Sequence, residues 1–217
     1  MTLVTTAGDD TTLTRVERKE LTRQAILAAA LRLSSDGSLG SLSLRQVAKE
    51  VGIVPTAFYR HFASIEELGL ALVDEAFVSL RAMLRDVRNA GGDPTFNDMI
   101  DSSMRVLADH VRAQRSHFAF IARERFAGPP QVRATIRHQI ELFERELATD
   151  IARLPGTDAW STEDLYVLAN LIVGASVSTV EELLYADRRA AEELVIARAC
   201  TQLRMMLVGA LGWRSAD

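Results

Sequence analysis

Apolar side chains recur along almost the whole chain at the three-to-four-residue spacing of an amphipathic helix, and period-two alternation is nearly absent, so the pattern predicts an all-α fold. The first segment, about 15–34, places Ala25, Ile26, Ala29, Ala30 and Leu33 on one stripe and stops at Asp36-Gly37. Ser43 with Gln46 forms a capping box that opens a short helix burying Leu44, Val47, Ala48 and Val51 and ending before Gly52. Pro55 then stands at a first helical position, and the helix it opens carries Phe58 and Phe62 four apart on one face. Ser64 with Glu67 makes a second capping box ahead of a long helix, about 65–89, stopped by Gly91-Gly92-Asp93-Pro94. Further helices are predicted at about 95–112, 114–126, 130–154, 162–185 and 188–211, about nine in all. The breaks at Gly128-Pro129-Pro130, 155–158 and Ala186-Asp187 are short, so the long helices should pack as near neighbours in a bundle.

Composition narrows the class. With 48% hydrophobic and 25% charged residues among 217, the chain is globular in composition, and neither a disordered nor a collagen-like sequence fits. The longest stretch without a charge, Leu165 to Val180, is shorter than the ~20 residues that span a bilayer, so no membrane partner is expected. Residues 1–14 read as a disordered tail rather than a signal peptide, and the one cysteine, Cys200, suits a reducing compartment; a cytoplasmic location is expected.

The net charge of −4 argues at first against nucleic acid. It is an average over two unlike parts. Residues 1–63 hold eight bases and six acids, giving +2, whereas the remaining 154 residues sum to −6. Two functional parts follow, residues 15–63 and residues 64–217.

The chemistry of the first part lies in the two short helices around Gly52-Ile53-Val54. Gly52 allows the positive φ of a tight turn, Ala48 lets the helices cross closely, and Phe58 and Phe62 hold the second helix to the first. Thr56, Ala57, Tyr59, Arg60 and His61 are then expected to face away from the core, where such a helix enters a major groove about 12 Å wide. Thr56 and Ala57 suit a thymine methyl, Tyr59 and His61 suit phosphates, and Ser43 with its neighbouring N–H groups suits another phosphate. Arg45 has the fork that grips guanine O6 and N7, or equally a phosphate. Of the arm bases Arg15, Arg18, Lys19 and Arg23, which lie on more than one side of a helix, about half should reach DNA, Arg18 among them; Lys49 reads as a solvated charge.

The run Leu42-Ser43-Leu44-Arg45-Gln46-Val47-Ala48-Lys49-Glu50-Val51-Gly52-Ile53-Val54-Pro55-Thr56-Ala57-Phe58-Tyr59-Arg60-His61-Phe62, followed by Ser64 and Glu66-Glu67-Leu68, resembles the DNA-binding domain of TetR-family repressors. The resemblance covers residues 18–75 and implies a homodimer, a three-helix DNA-binding head and a helical effector domain that dimerises through its last two long helices. Pro55 to Phe62, Glu67-Leu68-Gly69-Leu70, Val73-Asp74-Glu75 and Arg123-Glu124-Arg125 resemble the FabR/DesT group most, which implies repression of unsaturated fatty-acid synthesis genes in response to long-chain acyl-CoA. The chain departs from many relatives at Ile65, where they carry a lysine beside the DNA backbone, so one phosphate anchor is missing. Val54, at a helix cap, leaves N–H groups for a DNA phosphate.

In the second part, Met99, Met104, Leu107, Phe118, Phe120, Ile121, Phe126, Ile140 and Phe143 offer adaptable or aromatic surface for an alkyl chain, or an ordinary core. Arg123, Arg125 and Arg133 flank Gly128-Pro129-Pro130 and suit an anionic head group, unless Glu124 and Glu141 pair with them. The ligand-site expectation is therefore the nine apolar residues with Arg123 and Arg125. Gly174, Ala175, Ser176 and Ser178 permit close helix approach, in an internal core or in a four-helix interface between two subunits, and the family resemblance implies the interface. His110, His117 and the pair His138 and Glu141 give too few ligands for a metal, no nucleophilic triad or phosphate loop is legible, and no cofactor or enzymatic activity is expected.

The expected function is a homodimeric repressor of lipid or fatty-acid genes that reads a palindromic operator in double-stranded DNA and responds to a fatty acyl-CoA effector. Two alternatives remain: a repressor sensing a drug-like molecule and controlling efflux, and an architectural DNA binder without an effector.

Overall fold

The computed structural model describes residues 14–35, 37–89, 96–154, 156–157 and 160–215. Residues 1–13 of the tail and the stop signals at Asp36, 91–94, Pro155 and Asp158 lie outside the described residues.

Nine α-helices and one short 3₁₀ turn make up the described residues, with no strand among them. They are α1 (Arg15–Leu33), the 3₁₀ turn (Leu39–Ser41), α2 (Leu44–Val51), α3 (Pro55–Phe58), α4 (Ile65–Asn89), α5 (Phe96–Ala113), α6 (Arg115–Ala127), α7 (Pro130–Ile151), α8 (Thr162–Tyr185) and α9 (Arg189–Leu211). The all-α architecture and the helix count agree with the sequence pattern. Local chemistry explains the boundaries. Thr14 and Glu17 exchange side-chain and backbone hydrogen bonds at 3.2 and 2.6 Å and start α1 with a capping box that the apolar pattern did not reveal. Ser43 and Gln46 start α2 in the same way.

Two helices are shorter than periodicity suggests. α3 closes at Phe58, and the chain continues as a turn in which Arg60 N–H donates to Ala57 and His61 N–H to Phe58. Phe62 N–H still donates to Phe58 C=O at 3.1 Å, so the two rings keep the predicted shared face, 5.9 Å apart. α7 ends at Ile151, not near 154, because the Thr157 hydroxyl donates to the carbonyls of Ile151 and Leu154 and draws the last turn round.

The buried apolar side chains form three clusters. The largest among the described residues runs from Ile26, Ala30, Val47 and Phe58 in the first three helices, and Phe62 just beyond them, through Leu68, Leu72 and Phe77 of α4 to Phe120, Val132, Ile136 and Phe143 of α6 and α7. The head and the inner half of the bundle therefore share one core. A second cluster joins α5 to α8 and α9 through Met104, Leu107, Leu183, Val195 and Leu203, and a small third joins α7 to α8 through Ile151, Leu165 and Ala169.

Candidate DNA interface and effector cleft

The reading surface is built by three local devices. Gly52 takes φ +74°, the left-handed conformation that only a residue without Cβ adopts at no cost, and the N–H groups of Gly52 and Ile53 fold back on Lys49 and Ala48. Pro55 then starts α3, whose cap, Val54, makes no side-chain hydrogen bond. Phe58 and Phe62 are fully buried and fix the turn from beneath. Thr56, Tyr59 and Arg60 are left exposed, as are Ser43 and Arg45 at the start of α2 and Arg18 on α1, with Ala57 half-buried. The Ser43 hydroxyl accepts from Gln46 N–H at 3.2 Å, which leaves its own proton to donate.

His61 departs from expectation: it is half-buried, and its Nδ1 is enclosed without a hydrogen-bond partner. Burial first, and then the charges of Lys19 and Arg23, hold its pKa below the ordinary value, so the ring favours the neutral form. Arg23 is no free arm either. Its guanidinium lies 4.3 Å over the Phe62 ring and reaches His61 C=O at 3.4 Å, bracing the end of the reading turn against α1. Nothing in the local sequence around Arg23 marks that role, because the two groups are 38 residues apart. Ile65 packs against the core of the head.

The predicted ligand residues do not converge on one cavity. Met104, Leu107, Phe120 and Phe143 are closely packed core, Phe118 and Ile121 pack on its flanks, and Met99 and Phe126 are exposed, Phe126 by 71%. Adaptable side chains at helical spacing served here to fill the interior, the commoner use of such residues. The cations are largely engaged: Arg123 with Glu124 and Ser35 C=O, Arg133 with Gly128 C=O, and Arg125 with Glu181 at 2.9 Å while stacked on Phe126. Arg125 and Ile140 alone among the eleven line an open cleft of about 350 Å³ between α7 and α8, together with Glu144, Val173, Gly174, Val177, Ser178 and Glu181.

Glu144 was not foreseen as a site residue. It is buried, and its two carboxylate oxygens accept from Tyr166 Oη at 2.7 Å and Asn170 Nδ2 at 2.8 Å. Donation to this carboxylate, more than burial, pushes the Tyr166 phenol up from its ordinary pKa. No group of three or more metal-ligating side chains gathers among the described residues.

Comparison with known proteins ties this geometry to a family. Residues 26–72 match the family described as "Bacterial regulatory proteins, tetR family", and residues 96–207 match "Tetracyclin repressor-like, C-terminal domain", more than half of the chain. The chain belongs to the TetR family. TetR-family proteins are DNA-binding regulators that form dimers, and the matched N-terminal segment contains all of α2 and α3.

Solved structures share the fold at low sequence identity. Salmonella enterica GusR is 22% identical with a TM-score of 0.67, covering 93% of this chain and 99% of its own. AibR, solved in complex with isovaleryl coenzyme A and operator DNA, is 19% identical with a TM-score of 0.64, covering 84% and 97%. The fatty acid degradation regulator FadR from Bacillus halodurans is 13% identical with a TM-score of 0.67, covering 89% and 97%. Among the described residues α8 is long and apolar enough to cross a membrane by length and composition, with only 17% of its most apolar window buried.

Proposed function

We propose that this chain is a cytoplasmic, homodimeric transcriptional repressor whose two heads read the half-sites of a palindromic operator in successive major grooves. The carrying observation is the outward set Thr56, Tyr59 and Arg60 on a turn pinned from beneath by two fully buried phenylalanines, with Ser43 and Arg45 beside it. Arg45 reads a base, Thr56 and Ala57 face a thymine methyl, and Tyr59, Arg60, His61, Ser43 and Arg18 hold phosphates. Comparing a selected operator with scrambled DNA at fixed salt tests the reading, because an architectural binder shows no difference between the two.

Dimerisation through α8 and α9 is supported by their outer faces. Val167, Leu171, Gly174 and Ser178 follow one another at helical spacing and are exposed, as are Leu194, Met205 and Val208 on α9. A second copy of the same pair would cover these stripes and accounts for an apolar α8 so little buried within one chain.

For the effector, an acyl thioester is favoured by the cleft between α7 and α8, where Ile140, Val173 and Val177 form an apolar wall beside one arginine, and by AibR's isovaleryl coenzyme A. Regulation of fatty-acid genes follows from that choice. About 0.8 kcal/mol per buried CH₂ leaves an acyl chain ample energy, since shifting a two-state equilibrium ten-thousandfold needs only about 5.5 kcal/mol of differential binding. Titration with saturated and unsaturated acyl-CoA and free CoA, read as operator release or retention, checks this; indifference to all of them removes the lipid reading. A second reading rests on a specific observation: the cleft holds two carboxylates, Glu144 and Glu181, against the single Arg125, a balance that suits a cationic amphipathic molecule. A hydrophobic quaternary ammonium compound run in the same titration separates the two.

A further inference from the structure

Residues 123–125 of α6 face three ways within one helical turn. Arg125 pairs with Glu181 of α8, beside the cleft. Arg123 donates to Ser35 C=O, just beyond the end of α1, at 3.0 Å. Glu124, 0% exposed, accepts the backbone N–H of Leu39 at 3.0 Å, a contact between residues 85 apart in sequence. Leu39 is itself fully buried, in a socket that depends on a glycine: a Cβ on Gly69 of α4 would lie 2.2 Å from its Cδ2, and 3.1 Å from Val132 of α7. Gly128 lies close on the other side, where a Cβ would stand 2.6 Å from the Glu124 carbonyl oxygen and 3.0 Å from its Oε2.

That Oε2 finds no hydrogen-bond partner, so a buried carboxylate is only half satisfied, and such a group opposes folding. An apolar side chain of similar volume would fill the same space but leave the Leu39 N–H without an acceptor. What the carboxylate adds is direction, because it accepts one N–H of one residue at one distance. We propose that Glu124, oriented by Arg123, is a positioning residue that fixes the attitude of the DNA-reading head on the body and thereby the separation at which two heads meet DNA. The inference rests on the dimeric operator-binding reading above. Because Arg125 is the next residue on the same turn, a displacement of its pair with Glu181 is carried directly to the Leu39 amide.

The test uses the full chain as wild type, Glu124→Ala, Glu124→Gln and Arg123→Ala. Hydrogen exchange is followed at the Leu39 amide, and binding is measured on an operator selected from random DNA, with its half-sites moved together or apart by one base pair. Glu124→Ala should abolish protection of the Leu39 amide and flatten the spacing preference by at least about fivefold, the low end of typical coupling between sites. Glu124→Gln keeps an acceptor oxygen and should restore most of both. Arg123→Ala, on the partly exposed side of the pair, should reduce the spacing preference while the fold persists, so it carries the test if Glu124→Ala does not fold. Wild-type protection at Leu39 in folded Glu124→Ala, or an unchanged spacing preference in both alanine variants, overturns the proposal. If the wild type selects no operator, the dimeric reading fails, and the Leu39 exchange alone decides on Glu124.

Discussion

The head and the outer pair of helices handle apolar surface in opposite ways. In the head, Phe58 and Phe62 are 0% and 1% exposed, and Leu39 is buried with them against Leu68 and Leu72 of α4. On α8 and α9, Leu171 is 51% exposed, Met205 69% and Val208 72%, although these helices are as apolar in sequence as any in the chain. Both regions obey the same preference for burial, worth roughly 1.5–3 kcal/mol for a large aliphatic or aromatic side chain. The head satisfies it within one chain. The outer pair leaves part of it unmet within one chain. Completeness of the core within one chain, more than helix content, therefore separates the two regions.

The sharpest way to break this comparison is to damage the self-sufficient side. Phe62→Ala should cost about 3–5 kcal/mol, as large-to-small changes at fully buried aromatics do. Because its cluster continues into α4, α6 and α7, calorimetry should show one transition lowered as a whole; a separately melting head would contradict the shared core. On the other side, Leu171→Arg should leave the monomer fold intact by circular dichroism and weaken association by about 2–4 kcal/mol in sedimentation, the size of an interface hot spot. An unchanged dimer would place the interface elsewhere.

Within the reading surface, Arg45→Ala should relax preference at one position per half-site by about 1–3 kcal/mol. Tyr59→Phe should instead weaken binding to all sequences alike, by about 0.5–1.5 kcal/mol for a lost hydrogen bond. Equal loss on cognate and random DNA for Arg45→Ala would make it a phosphate contact. The smallest effect is on pH. The His61 pKa in the folded chain lies below its unfolded value, so the unfolded chain takes up the proton first. Its contribution is fully present above the unfolded value near 6.5 and declines as pH falls through that value towards the folded one. His61→Gln should flatten this part of the stability profile, measured by thermal melts between pH 7.5 and 5.5.

Much of the fold was legible because its determinants are local. The capping box at Ser43, the Ser64 cap, whose Glu67 reaches back to Ala63 N–H and not to Ser64, the glycine at 52 and the proline at 55 each act within four residues, so the order and type of elements could be read along the chain. The shortened ends of α3 and α7 escaped because turn hydrogen bonds at Arg60 and Thr157 override a periodicity that would carry the helix on. At the site, the outward position of Tyr59 and Arg60 followed from the apolar face opposite them. Glu124, Glu144 and Arg23 could not be found that way. Each acts on a group 22 to 85 residues distant, and a charged side chain gives no periodic sign of whether it ends in water or in the interior. That the methionines and phenylalanines of the body do not line the cleft has a related reason: apolar spacing reports burial and does not distinguish a core from a pocket wall.

The socket that Gly69 forms for Leu39 bears on how this protein could be re-engineered. A head exchanged at residue 63 would carry Leu39 to a new host without the glycine that admits it, the Val132 beside it or the Glu124 that accepts its amide. Grafts of this reader onto another sensor should therefore succeed only when the recipient supplies that receptacle, or when the transplanted piece extends beyond Gly69 and Val132 travels with it. The two parts are distinct in task, yet as building material they are not interchangeable units.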